Sequence, residues 1–296
     1  MTLSRAGPLV APTLAALQAQ GLPRLDAQLL LLHALGQAPH NRAWLLAHDT
    51  DEVSEAAMNT VTTTAQRRLH GEPLAYITGH KEFYGLDLQV DKRVLDPRPD
   101  TETLVDWALE VLQPQSTHSP RVLDLGTGSG AIALALKATQ PSLTVHATDF
   151  SVDALEVARA NAQRLGLSVT FSQGAWFAAL EPDTPQFHVI VSNPPYIAAQ
   201  DEHLAALTHE PLQALASGTD GLDDLRHLIA HAPAHLLPGG WLLLEHGYDQ
   251  APAVRALLLD AGLDQVQSRR DLAGMARCSG AQRPHSTQRW HHPFRT

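Results

Sequence analysis

The sequence predicts an α/β chain in which a mostly parallel sheet, with helices on both faces, follows a small helical bundle and a short β connector. Three observations predict this. From about residue 120 short buried-type strands alternate with helical stretches, the order of a doubly wound sheet. Residues 9 to about 70 carry only helical spacing. Between them, residues 73–99 are rich in β-formers and broken by glycine and proline. Composition agrees: 296 residues with 44% hydrophobic and 18% charged side chains can bury a sizeable core.

In the amino-terminal stretch, Leu14 and Leu17 precede a stop at Gly21, and Asp26 can cap a run with Leu29, Leu30 and Leu32 that ends at Gly36. A third piece holds Trp44, Leu45 and Leu46. A fourth spaces Val53, Ala57, Val61, Ala65 and Leu69 by four residues. Such short helices must pack together to persist, so residues 1–72 are expected to form a helical domain. Residues 73–99 read as a hairpin-like connector, after which Asp100, Thr101 and Glu102 open a helix with acidic groups suited to its dipole. The strands then run RVLDL, LTVHATD, SVTFS, FHVIVS and WLLLEHG. Helices fall at Ala131–Ala138, Val152–Leu165 (capped by Ser151, stopped at Gly166), Leu222–Leu237 and Pro252–Leu259. VQSRRDLAGMARCSG supplies a closing antiparallel pair, so this domain spans 100–280. Residues 281–296 lack periodicity and are expected to be a disordered tail.

Charge and cysteine content exclude several classes. A formal net charge of −10 gives no general attraction for DNA, RNA or an anionic membrane, leaving only a local basic groove. The single cysteine, Cys278, excludes an intrachain disulfide framework and a Cys-based zinc cluster. No apolar run approaches the roughly 20 residues that span a bilayer, and MTLSRAGPLVAP is too weakly apolar for a secretory signal. A cytoplasmic location is expected.

The chemistry concentrates at strand ends. Val122 to Leu125 run into Gly126-Thr127-Gly128-Ser129-Gly130 and then a helix. Glycines let the backbone turn sharply and let a ligand approach it, and a turn after the first strand of such a sheet binds nucleotide-like groups. Gly126, Gly128 and Ala131 also fit a dinucleotide-binding pattern loosely. Asp149 ends the second strand, 19 residues after Gly130, where a carboxylate can accept both hydroxyl hydrogens of an adenosine ribose. That suits NAD and S-adenosylmethionine equally.

Asn193-Pro194-Pro195-Tyr196, after the fourth strand, decides between them. Two prolines stiffen the loop. The Asn193 oxygen and a following backbone carbonyl can both accept hydrogens from one planar NH₂ group, favouring a more pyramidal nitrogen with its lone pair free. Tyr196 supplies a flat apolar wall. A hydride-transferring enzyme has no use for such a clamp, so the cofactor expected is S-adenosylmethionine.

With these residues in view the chain resembles the release factor glutamine N5-methyltransferases, which methylate the glutamine of the Gly-Gly-Gln loop in class 1 peptide chain release factors. The likeness runs through PLAYITGHKEFYGL, PRPDTE, VLDLGTGSGAIALALK, SNPPYI, the run from HEPLQAL to DGLDDLR, PGGWLLLEHGYDQ and RDLAGMAR. It implies a seven-stranded Rossmann-like methyltransferase domain and a cofactor pocket of Gly126 to Gly130, Asp149, Trp176 and Asn193. It further implies a glutamine-clamping loop of Asn193 to Tyr196 that binds substrate and performs catalysis, and a helical domain that grips the release factor. Three positions depart from the pattern. Asp96 stands where an apolar residue is usual, Ala175 where Asp or Ser is common, and Met275 where Asn is usual.

Other residues are set aside. His227, His231 and His235 recur every four residues, but Pro233 interrupts that face and no carboxylate completes a metal site, so no metal is expected. Cys278 reads as a small apolar core residue, and Glu245 and His246 as structural. His285, His291 and His292 fall in the tail. Two rival functions remain. One is a DNA or RNA amino-methyltransferase, which must flip a base and hold phosphates and is disfavoured by the net charge. The other is a non-catalytic partner-binding module, which has no need of a nitrogen clamp.

Overall fold

A computed structural model describes residues 7–113 and 119–285, and divides the chain into two units, Met1–His80 and Lys81–Thr296. In the first, the leucine-rich segments form α1 (Val10–Ala19), α2 (Arg24–Ala34), α3 (Arg42–Ala47), α4 (Glu55–Leu69) and α5 (Leu74–Thr78). They close on a core containing Leu17, Leu30, Leu31, Val61 and Ile77. The Ser54 hydroxyl caps α4 by accepting from the Ala57 N–H at 3.2 Å.

Two expectations are corrected here. Asp26 does not cap α2, which starts two residues earlier behind Pro23. It lies in the first turn and pairs with Arg68 of α4 at 2.7 Å. Residues 73–79, expected as part of a β connector, instead form α5 against α2 and α4. Gly79 ends that helix at φ +78°, a left-handed conformation that glycine adopts without steric cost.

A hairpin follows, β1 (His80–Phe83) and β2 (Leu86–Gln89), turning through Tyr84 and Gly85, both at positive φ. Tyr84 is held there by α6 (Glu102–Leu112). Its N–H donates to Glu102 at 3.0 Å and its hydroxyl to Asp106 at 2.6 Å.

The main sheet contains β3 (Arg121–Leu125), β4 (Thr144–Asp149), β5 (Thr170–Gln173), β6 (Phe187–Ser192), β7 (Leu236–Glu245), β8 (Asp264–Arg270) and β9 (Ala276–Gln282). Their spatial order is β5-β4-β3-β6-β7-β9-β8. The first five are parallel, and β9 pairs antiparallel with both β7 and β8. Val122, Leu123, Val189, Ile190 and Val191 are wholly buried, as strands covered on both faces require. One face, showing Leu123, Leu125, Ile190, Leu242 and Leu244, packs on α9 (Asp223–His235) and α10 (Ala251–Asp260). The face showing Asp124 is covered by α6 and α7 (Ala131–Thr139), and α8 (Val152–Leu165) packs on β4 and β5. No helix among the described residues is long and apolar enough to cross a membrane.

Two boundaries differ from the sequence reading. The fourth helix of this unit carries Pro233 inside it and stops at His235, and β7 starts at Leu236, whose backbone is already extended (φ −89°, ψ 142°). Ala281 and Gln282, assigned to the tail, complete β9 opposite Leu242 and Trp241. Residues 286–296 of that expected tail lie outside the described residues.

Candidate active site

Strand order reverses between β3 and β6, so the loops leaving their carboxyl ends diverge and open a crevice. A cavity of about 260 Å³ lies there. Its walls include Gly126, Gly128, Asp149, Trp176, Asn193 and Pro195. Six of the residues singled out from sequence thus border one space.

The glycine loop is shaped from below. The Gly126 and Thr127 N–H groups both donate to the Thr148 carbonyl at 2.9 Å, tying the loop to β4. The Thr127 hydroxyl donates to Asp124 at 2.7 Å, and the Ala133 N–H reaches the same carboxylate oxygen at 3.2 Å. Asp124 is wholly buried, and that burial pushes its pKa up to about 7. Asn161 of α8, also buried, donates to the carbonyls of Ser129 and Gln89 and accepts from the Gln89 N–H. It joins the loop to β2. Thr127, Ser129 and Gly130 are buried and do not border the cavity. They form the loop's scaffold rather than its lining.

Asp149, at the end of β4, borders the cavity beside the glycine loop. One carboxylate oxygen accepts the Gly128 N–H at 2.9 Å, the other the Ser151 N–H at 2.9 Å. Burial raises its pKa, and these backbone donors pull the other way. Each oxygen keeps a lone pair for a second donor. Trp176 sits at φ 50°, a conformation costly for a bulky residue, with its indole N–H donating to Asp224 at 3.2 Å. Its ring lies so close over Gly126 that a Cβ there would meet it at 3.1 Å. Ala175, beside it, presents only a methyl to the cavity.

The Asn193–Tyr196 loop is held at several points. Its root is pinned by the Ser192 hydroxyl, which donates to the Leu125 carbonyl at 2.6 Å. The Asn193 side-chain NH₂ donates to the Thr101 hydroxyl at 3.3 Å. The Tyr196 hydroxyl donates to Glu245 at 3.2 Å, and its carbonyl accepts from Gln250 at 3.0 Å. Pro194 is buried behind the loop. Glu245, at the end of β7, is wholly buried. Desolvation pushes its pKa up to about 7, against the pull of the Thr101 hydroxyl, Arg277 and Tyr196. Burial and the Glu245 charge raise the Tyr196 phenol well above its ordinary value.

Sequence reasoning missed Thr101 and set Glu245 aside. Both lie far from the Asn193–Tyr196 loop in sequence, and only the fold brings Thr101 to Asn193 and Glu245, the acid that ends β7, to Tyr196. Asp96 is buried beside Lys81, at 3.1 Å, and Arg98, whose guanidinium also pairs with Glu210. The Asp96 carboxylate thus has two cationic side chains beside it. Met275 is exposed, with its N–H on Asp271 at 2.9 Å. His235 stacks on Phe177, and the His231 ring bonds the His227 carbonyl.

A family model described as the methyltransferase small domain matches residues 102–221, and one described as the PrmC N-terminal domain matches residues 10–79. A solved methyltransferase from Pyrococcus furiosus is 20% identical, with a TM-score of 0.52, covering 75% of this chain and 99% of that one, which shows a shared fold. Fold and site together thus define a methyltransferase. Its branch follows from closer relatives. The release factor glutamine methyltransferase of Bordetella pertussis is 53% identical over 88% of this chain and 95% of its own length. That of Burkholderia pseudomallei is 46% identical over 96% and 100%. This chain belongs to the release factor glutamine methyltransferases.

Proposed function

We propose that this protein transfers a methyl group from S-adenosylmethionine to the side-chain amide nitrogen of the glutamine in the Gly-Gly-Gln motif of class 1 peptide chain release factors. The observation that carries the reading is Asn193 on the wall of the same cavity as Gly128, Asp149 and Trp176, its NH₂ engaged by Thr101.

The cavity fits the cofactor on its own terms. Gly128 offers backbone with no side chain, and nothing stands within 4 Å of where its Cβ would be. Asp149 offers a carboxylate for ribose hydroxyls, and Trp176 offers a flat face. Gly126, Gly128, Asp149, Trp176 and Asn193 hold the ligand in this reading, while Thr127, Ser129 and Gly130 hold the loop. When bound, S-adenosylmethionine supplies an electrophilic methyl on a sulfonium centre.

The chain's own residues do the rest. An amide nitrogen is a poor nucleophile because its lone pair is delocalised. Asn193 Oδ1 and the Pro194 carbonyl each accept one of its hydrogens and favour the pyramidal form. Both bonds strengthen as the nitrogen gains positive charge, so they stabilise the transition state more than the bound substrate. Pro194 and Pro195 keep the acceptors in place without reorganisation, and the Tyr196 ring packs on the planar amide.

Labelled S-adenosylmethionine offered with a release factor in one tube and duplex DNA in another tests the substrate class. Label on the release factor, lost when its Gly-Gly-Gln glutamine is replaced, supports the reading. Label on DNA refutes it. Asn193→Ala tests the clamp, with an expected loss on the order of 10²–10³ in kcat. A wild-type rate would show the clamp to be wrong.

A further inference from the structure

Gln250 lies just ahead of α10, in the turn Gly247-Tyr248-Asp249-Gln250 that its own N–H closes by donating to the Gly247 carbonyl at 3.0 Å. Its half-buried side chain reaches further. Oε1 accepts the Gly247 N–H at 2.8 Å. Nε2 donates to the Tyr196 carbonyl at 3.0 Å and to the Gly221 carbonyl at 3.4 Å. Gly221 is buried in the turn before α9 and makes this contact possible, because a Cβ there would collide with both the Tyr196 carbonyl oxygen and Gln250 Nε2. Segments far apart in sequence therefore meet at one carboxamide, which lies outside the wall of the cavity.

We propose that Gln250 is a positioning residue that fixes the backbone of Tyr196 and so holds the aromatic wall of the clamp in place. Backbone groups settle the orientation of its carboxamide. A peptide N–H only donates, so the end facing Gly247 must be the oxygen. Peptide carbonyls only accept, so the end facing Tyr196 and Gly221 must be the NH₂. A flipped carboxamide would set an oxygen against both carbonyls and an NH₂ against an N–H. The turn thus aims a donor at the carbonyl that lies between two other holds on this part of the loop. On one side the Tyr196 hydroxyl donates to Glu245 at 3.2 Å. On the other the Ile197 N–H donates to the Leu215 carbonyl, and the Ile197 carbonyl accepts from the Ser217 N–H, each at 2.9 Å. Ring tip, peptide plane and following residue are then all fixed, so the ring does not swing about its backbone when a substrate amide packs on it. A wall held in advance needs no reorganisation as the nitrogen attacks, so its effect falls on the transition state.

This inference rests on the clamp reading of the Asn193–Tyr196 loop, and its test separates the two. Gln250→Met keeps the length of the side chain and removes its hydrogen bonds. In the full-length enzyme kcat should fall roughly tenfold, the scale of one net hydrogen bond in an otherwise intact site. KM for the release factor and affinity for S-adenosylhomocysteine should change less than about twofold, since the placement of the wall matters most in the transition state. Gln250→Glu separates donation to the clamp from closure of the turn. It keeps an acceptor for Gly247 but sets a carboxylate oxygen against both carbonyls, so it should lose at least as much kcat as Gln250→Met. Added to Tyr196→Ala, which removes the wall, Gln250→Met should cost less than about twofold more. Wild-type kcat in Gln250→Met, near-wild-type kcat in Gln250→Glu, a full further loss in the double variant, or an S-adenosylhomocysteine affinity that falls along with kcat would overturn the positioning role while leaving the clamp standing. A wild-type rate in Asn193→Ala would instead overturn the clamp and this role with it.

Discussion

Adding one methyl group at two glycines of the same loop separates ligand approach from loop packing. Gly128 and Gly130 both have positive φ, +55° and +85°, so alanine at either pays a left-handed backbone penalty of roughly 1–2 kcal/mol. Beyond that they differ. A Cβ on Gly128 meets nothing within 4 Å, and Gly128 borders the cavity. A Cβ on Gly130 lies 3.0 Å from Leu134 Cδ1 and 3.4 Å from the Ala158 Cβ, in a buried interior. Overpacking there adds about 1–3 kcal/mol. Gly128→Ala should therefore unfold only about 1–2 kcal/mol more easily in urea, yet bind S-adenosylhomocysteine at least about tenfold more weakly by calorimetry, because its methyl fills the space a ligand needs. Gly130→Ala should show the opposite balance, with a stability loss of about 2–5 kcal/mol and near-normal affinity in its folded fraction. If Gly128→Ala binds as tightly as the wild type, the ligand does not approach this backbone and the cavity is not the cofactor site.

Asp149→Ala should weaken cofactor binding by about 1.5–3 kcal/mol, the range for hydrogen bonds to a charged group. Asp149→Asn should be milder, since one acceptor remains for the ribose or for the Gly128 N–H; calorimetry showing no difference between either variant and the wild type would place the ribose elsewhere. Asp124 makes stability depend on pH. Its pKa is about 7 when folded against 3.8 for an ordinary aspartate, so between those limits the folded state holds a proton that the unfolded state has released. Its contribution is complete below pH 4 and is lost as pH rises toward 7, at up to about 1.4 kcal/mol per pH unit. Urea midpoints from pH 5 to 8 should fall less steeply in Asp124→Asn, and parallel slopes would contradict the assignment. A truncation starting at Lys81 should bind the cofactor but methylate intact release factor poorly. Equal kcat/KM for both forms would remove the helical unit from substrate recognition.

The sequence by itself determined whatever depends on neighbours along the chain. The apolar run of β3 leading into Gly126–Gly130, the acid closing β4, and the stiff Asn-Pro-Pro-Tyr turn after β6 are local patterns. The doubly wound topology then places strand carboxyl ends on one edge, so these residues were legible as a single site before any coordinates. The Ser151 cap and Gly166 stop of α8 were local in the same way, and both lie where expected. What the tertiary structure decided depends on proximity between distant segments. Asp26 looked like a cap because its type favours that position, but Arg68, a partner 42 residues away, holds it inside the helix. Residues 73–79 carry β-forming side chains, yet packing Ile77 into the helical core outweighed that weak propensity. Ala281 and Gln282 had no periodic pattern of their own and became strand because β7 and β8 supplied ladders on both sides. Within the site, local pattern singled out Asn193 and Tyr196, whereas only the fold showed what holds them: Thr101, 92 residues before Asn193, takes its side-chain N–H, and Glu245, 49 residues after Tyr196, takes its hydroxyl.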